Sequence, residues 1–262
     1  MGRWQDMDLE ELEEQYSPSR WSRRMDSESV IQAHIDVTTA GTQKAQAAAH
    51  TLLHVPYGDG EGEKLDIYFP VDSSETFPVF VYIHGGYWQC LSKDASGFSA
   101  PALLSQGVAV VALGYDIAPK GRQGPTGVMT SFGGSVPTWL CTLPRPHGCD
   151  GAPGAAQPCL PGEAIPQDQE LFWEVAQRNS PILCVTQAVP VAASCEVLVA
   201  VAQHDSPEFR RQSQEYSQAL RSAGWSVSLL DLASVDHFDI IEKLSEETYV
   251  LTQVILNMIA RS

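Results

Sequence analysis

Apolar positions fall into two patterned blocks separated by a stretch that carries no period. In the first block Leu9, Leu12 and Tyr16 recur at helical spacing, predicting a short acidic amphipathic helix over 7–16 that Ser17-Pro18 stops. An Ala- and Gln-rich stretch from Ser27 to His50 predicts a second helix, interrupted at Gly41. Leu52 to Pro56 and Leu65 to Phe69 flank the glycine-rich turn Tyr57 to Glu63 and read as strand, turn, strand. Val79 to Ile83 and Val108 to Leu113 are apolar β-type runs, separated by a helix around 94–105 for which Gly107 is the expected cap. Strands without polar alternation, joined by a crossover helix, imply parallel pairing in a sheet covered on both faces. The second block repeats the cadence: Val197 to Ala202, a helix from Glu208 to Ser222 stopped by Gly224, a strand from Trp225 to Leu230, and a closing helix to Ile259. The fold class is α/β, a mostly parallel sheet with helices on both faces.

Between Gly121 and Gln169 the register fails. That segment holds eight of the 17 prolines, nine of the 20 glycines and three of the six cysteines, and only Val128 to Phe132 there reads as a short strand. Its composition predicts an irregular or disordered Pro/Gly-rich segment over 121–169, and a structureless stretch that long inside a compact domain signals that an expected element is missing.

The chain has 262 residues, 44% of them hydrophobic, enough to bury the core of a single α/β domain spanning 1–262. Its formal charge of −16 excludes nucleic acid and anionic membrane as partners, because phosphate binding needs clustered Lys and Arg. No run approaches the roughly 18 apolar residues of a membrane span, and Met1 to Val30 is acidic and polar, so an intracellular protein is expected, in the cytoplasm with the nucleus as a second candidate compartment. Six cysteines without a secretory segment read as free thiols. Cys141, His147, Cys149 and Cys159 match no paired metal-ligand spacing, so no metal is expected.

The candidate chemistry begins at His84-Gly85-Gly86-Tyr87-Trp88, directly after the run Val79 to Ile83. A buried strand that breaks into paired glycines can turn backbone N–H groups toward a cavity, the arrangement of an oxyanion hole for acyl transfer. Asp205 follows the end of the strand Val197 to Ala202, where catalytic groups gather in parallel sheets, and His237 lies in the loop after the next strand. An acid loop one β-α-β step before a histidine loop is the second half of the order Ser, Asp, His. In that scheme His237 takes and returns the nucleophile's proton while Asp205 sets its tautomer. The chain contains no G-x-S-x-G, the strained turn that would present the serine.

Gln15-Tyr16-Ser17-Pro18-Ser19-Arg20-Trp21, Tyr57 to Glu63, His84 to Gln89, Tyr115-Asp116-Ile117-Ala118-Pro119-Lys120, Ala176 to Pro181, Asp205 to Phe209 and Val235 to Phe238 together resemble the arylformamidase, or kynurenine formamidase, family. The resemblance covers roughly residues 8–121 and 173–262. It implies an α/β-hydrolase fold and cofactor-free cleavage of N-formyl-L-kynurenine to kynurenine and formate in tryptophan catabolism. It places the family's H-G-G-x-W on His84 to Trp88, its acid on Asp205 and its base on His237. The family's strand ending in G-H-S-A-G is not found between Lys120 and Asp205, which implies loss of the central elbow strand. Gly133-Gly134-Ser135-Val136-Pro137 comes nearest, with too few residues after Pro119 for a crossover helix and a strand. Ser135 is the candidate nucleophile, and hydrolysis is expected to be impaired or absent. Two other readings stay open: a non-catalytic protein that binds ligand beside Tyr87 and Trp88, and a small-ester hydrolase using Ser135. The expected partner is a small aromatic formamide, and a homodimer is a candidate assembly.

Overall fold

The computed structural model describes residues 6–71, 76–87, 90–117, 182, 185 and 196–261. Helix α1 (Leu9–Tyr16) starts at Asp8, whose side chain accepts from the Glu11 N–H, and ends before Pro18 as its spacing predicts. Helix α2 (Ser27–Ala48) is capped by Asp26 and runs unbroken through Gly41, where an interruption was expected. Packing explains the glycine: a Cβ there would lie 2.7 Å from Phe98 Cβ. Close approach of α2 to the segment before α3 (Ala100–Leu104) therefore requires a residue without a side chain.

Strands β1 (His50–Pro56), β2 (Lys64–Phe69), β3 (Val79–Ile83) and β4 (Ala109–Leu113) form one sheet in the order β1-β2-β4-β3. β1–β2 and β2–β4 are antiparallel, and β3–β4 is parallel across α3. Strands β5 (Glu196–Ala202) and β6 (Ser226–Leu232) form a second, parallel pair. Among the described residues the ladders are thus two antiparallel and two parallel, a mixed sheet with helices of the α/β class expected. The antiparallel β1–β2 pair follows from the short Gly-rich link between them, which can reverse the chain but cannot carry it back for a parallel crossover. Among the described residues no strand joins β3 to β5, and the segment 121–169, where the elbow strand was expected to be lost, lies outside them.

One apolar core spans both sheets. Tyr68, Phe80 and Val110 pack in the same cluster as Leu198, Ala200 and Leu232, with Ile240, Leu251 and Ile255 from the C-terminal helices. Val199, between two of these on β5, faces the opposite side, against Tyr216, Leu220 and Trp225. Alternate residues of β5 are therefore buried on both faces, as its unbroken apolar run predicts. Helix α4 (Pro207–Ser222) covers that second face and is ended by Gly224 at φ +90°. The expected single closing helix is instead two, α5 (Asp239–Glu242) and α6 (Val250–Arg261), because the chain turns extended at Glu246. Among the described residues no helix is long and apolar enough to cross a membrane.

Gly41→Ala gains helix propensity, worth about 1 kcal/mol, but drives a methyl into Phe98 at a cost of about 1–3 kcal/mol. The expected outcome is net destabilisation, read as a lower urea midpoint with an unchanged slope.

Candidate active site

Parallel pairing of β5 with β6 runs in register from Glu196↔Ser226 to Ala202↔Leu232, so both strands deliver their following loops to the same edge. Backbone bonds continue past the strands: the Gln203 N–H donates to Leu232 O at 2.9 Å and the His204 N–H to Val235 O at 3.0 Å. The Gln203 side chain also accepts from the Ser234 N–H at 2.8 Å, and Ser234 holds a left-handed φ of +62°. These ties fix the loop of Asp205 against the loop of His237. His237 Nδ1 lies 2.7 Å from Asp205 Oδ1. A carboxylate only accepts, so Nδ1 carries the hydrogen, and in the neutral ring the lone pair is on Nε2.

Asp205 has no exposed side-chain surface, and its second oxygen accepts from the Ala202 N–H at 3.1 Å. Both carboxylate oxygens are thereby satisfied in a dry setting, where an unpaired charge would be costly. The His237 ring stands edge-on between Phe209 and Phe238, with centroids 5.0 and 5.6 Å away, and keeps 19% of its side chain exposed. The arrangement is that of an oriented base: one nitrogen is held by a buried acid, two phenylalanine rings pack near-perpendicular to the imidazole, and the ring retains access to solvent.

The loop after β3 has a different construction from the one its two glycines suggest. Gly86 requires glycine twice over, with φ at +105° and a Cβ position 2.3 Å from Cys90 O. Gly85 has negative φ and open space where a Cβ would stand. Tyr87 follows in the left-handed region at φ +54°. Tyr115, at the end of β4, braces the loop by donating from its hydroxyl to His84 O at 2.8 Å and Gly85 O at 3.3 Å. In a trans peptide the C=O and the next N–H point in opposite directions, so turning these carbonyls toward Tyr115 turns the Gly85 and Gly86 N–H groups away from it.

The His84 imidazole serves this brace rather than proton transfer. It is buried, stacks on Tyr115 at 4.2 Å and 11°, and donates from Nδ1 to Gly85 O at 2.9 Å. Burial pushes its pKa down to about 4, so the ring is neutral at physiological pH.

Asp236, next to His237, is a residue that sequence reasoning missed. It is buried, and its Oδ1 accepts from the Phe238 and Asp239 N–H groups at 2.9 and 2.8 Å. Its Oδ2 accepts from Ser22 Oγ at 2.6 Å and Arg24 Nε at 3.1 Å. No local signal announces partners more than two hundred residues apart. Trp88, Ser135 and the Cys141–Cys159 group lie outside the described residues. Asp205, His237 and the His84–Tyr87 loop are described, and the structure brings the first two into contact. His54, Asp66 and Asp94 lie close enough together to suggest a cation site, but the Lys93 ammonium stands among them at 2.8, 3.0 and 2.7 Å. The Lys93–Asp66 ion pair at its centre is buried, His54 and Asp94 stand exposed beside it, and together they tie the bulge in β1 to the turn before α3.

Over 294 aligned positions the chain is 43% identical to a kynurenine formamidase of Danio rerio and 42% identical to one of Salmo salar, with all of this chain and all of each relative covered. A kynurenine formamidase of Drosophila melanogaster is 24% identical, with 95% of this chain and 97% of the relative covered. The alignments extend over 294 positions against the 262 residues of the chain, so the relatives carry residues with no counterpart here. Among solved structures, a candidate thioesterase of Silicibacter sp. superposes with a TM-score of 0.59 at 18% identity, covering 94% of this chain and 98% of the other. A thermophilic carboxylesterase from a metagenomic library gives 0.53 at 14% identity, covering 91% and 99%. These neighbours establish the α/β-hydrolase fold. No family model matches the chain.

The depressed pKa of His84 makes stability depend on pH. Below about 6.5 the unfolded chain takes up a proton that the folded chain refuses until about pH 4, so stability is fully present above that window and falls through it as pH falls. The loss amounts to roughly 3 kcal/mol by pH 4. Glu242 enters lower: burial pushes it up, but hydrogen bonds from His34 and Arg24 hold it at about 2, so its contribution is lost only below about pH 4.5. Urea titrations between pH 6.5 and 5 stay above the Glu242 range, and His84→Gln is expected to flatten the slope in that window, which assigns that part of it to His84.

Proposed function

The chain belongs to the kynurenine formamidase family, on the α/β-hydrolase fold, and we propose on that premise that it receives a small aromatic formamide at Asp205, His237 and the His84–Tyr87 loop, with turnover impaired by the missing nucleophile elbow. The substrate of this class is N-formyl-L-kynurenine, which water converts to kynurenine and formate. The observation that carries the reading is the 2.7 Å contact of His237 with the buried Asp205 at the shared edge of two parallel strands.

Each group has a role in the formamide reaction. His237 Nε2 removes the proton from an attacking O–H, the oxygen adds to the formyl carbon, and the carbonyl oxygen takes up the negative charge. The N–H groups of Gly85 and Gly86, turned away from Tyr115, are the donors for that oxyanion. Collapse breaks the C–N bond, and the imidazolium returns its proton to the departing arylamine while Asp205 stabilises the cation. A serine at the end of a central strand would supply the attacking oxygen in an intact member, and water activated by the same imidazole would then hydrolyse the resulting formyl ester to formate and free serine. The absence of G-x-S-x-G, together with the relatives' extra aligned positions, supports a chain that keeps the base and the donors but has lost that oxygen.

Turnover of N-formyl-L-kynurenine is therefore expected to fall on the order of 10⁴- to 10⁶-fold below that of the Danio rerio relative under the same conditions, since loss of the serine alone removes most of a triad's acceleration. The arylamine product's absorbance gives the rate, and a fluorophosphonate probe should leave the chain unlabelled. Comparable turnover, with labelling that disappears in Ser135→Ala, would make Ser135 the nucleophile and overturn the impairment. Ligand recognition has its own measurement, a melting temperature that rises with the logarithm of substrate concentration above Kd.

A further inference from the structure

The last four carbonyls of a helix have no partner within it. In α1 each of the four is taken. Glu13 O accepts from the Ser17 N–H at 3.1 Å and Glu14 O from Trp21 Nε1 at 2.8 Å, both within the same segment. The other two acceptors reach the site. Gln15 O accepts from Ser206 Oγ at 2.6 Å, and Ser206 adjoins Asp205 and caps α4 through the Phe209 N–H. Tyr16 O accepts from the Tyr87 hydroxyl at 2.6 Å, in the loop that carries Gly85 and Gly86. The Tyr16 hydroxyl donates to Glu208 Oε1 at 3.1 Å, a second tie to α4.

A few residues further on, the same segment grips the base. Ser22 and Arg24 hold Asp236 Oδ2, and the Arg24 guanidinium also meets Glu242 through Nη1 at 2.7 Å and Nη2 at 3.1 Å. A ring of contacts results: Tyr87 to Tyr16, Gln15 to Ser206, Asp205 to His237, Asp236 to Ser22 and Arg24. The three loops that carry the donors, the acid and the base come from distant parts of the chain, and residues 15–24 touch all of them.

We propose that residues 15–24 act as a positioning strap, in which Tyr87, Ser206 and Arg24 are positioning residues that hold the Gly85–Gly86 loop and the Asp205–His237 pair in one relative geometry. An eight-residue helix is unstable alone, so α1 keeps its shape only while docked, and each loop is restrained only while α1 is there. The strap refines the functional reading above and rests on it for its purpose, but its coupling requires neither nucleophile nor substrate. Such coupling is established by perturbing one end and reading the other.

Long-range ¹H–¹⁵N spectra of the full chain report the tautomer of His237, expected to be the Nδ1–H form. Tyr87→Phe removes one hydroxyl on the opposite side of the strap and should shift the tautomer ratio toward Nε2–H by up to about tenfold, the equivalent of one hydrogen bond. In the reverse direction, Arg24→Gln should raise amide hydrogen exchange over 84–87 by a similar factor while β1 and β2 stay protected; a general loss of stability would release those strands too. A wild-type His237 that is not in the Nδ1–H form, or an unchanged ratio in Tyr87→Phe, overturns the strap, as does exchange in Arg24→Gln confined to 236–242. If Arg24→Gln does not fold, the Tyr87→Phe arm decides alone. Coupled loops in a chain that does not bind formamide would sink the functional reading and leave the strap; formamide binding with uncoupled loops would do the reverse.

Discussion

The bond between Asp205 and His237 depends on the parallel, in-register pairing of β5 and β6, and the rest of the site is arranged around it. Parallel strands end at the same edge, so the two residues, thirty-two apart in sequence, emerge side by side. A one-residue slip in that pairing would send the side chains of one strand to the wrong face and carry its loop with them. The apolar faces of β5 guard against such a slip, because Leu198 and Ala200 fill the main core while Val199 fills the cluster under α4. The core therefore sets the register, and the register sets the chemistry.

Polar groups near the site are buried in satisfied sets. Asp205 is shared by His237 and the Ala202 N–H, and Asp236 by four donors. Glu242 is held by Arg24 and His34. A carboxylate that lost one of these donors would keep its burial without its compensation, the costly case for an ionic network. Because Asp236 takes two of its four donors, and Glu242 its Arg24 and His34 partners, from residues 22–34, the N-terminal segment contributes to the site as well as to the core. The acid–base loops thus rest on elements far away in the chain.

The two histidines of the site show how one residue type is divided by environment. His237 keeps partial contact with solvent and pairs with a buried carboxylate. His84 is stacked and buried, and its ring donates to a carbonyl, so it stays neutral and braces the loop. Both stand after apolar runs in the sequence, and only their surroundings distinguish the stacked ring from the carboxylate-paired one.

Period and punctuation alone determined a great deal: α1 with its stop at Pro18, the hairpin of β1 and β2, the positions of β3 to β6, and the glycine ends at Gly107 and Gly224. These are local properties, set by side-chain spacing and by backbone angles that only glycine adopts easily, and a linear reading reaches them. Asp205 and His237 were legible because their loops follow apolar runs in a known order. Tertiary structure decided the rest. It kept α2 whole through Gly41, because the need there was contact with Phe98 rather than a turn; it assigned the strict glycine requirement to Gly86 and spared Gly85; and it recruited Tyr115, Asp236, Ser22 and Arg24 to the site. Those roles arise from groups that meet across long separations in the chain, and hydrophobic pattern records which face a residue occupies but not which partner waits there.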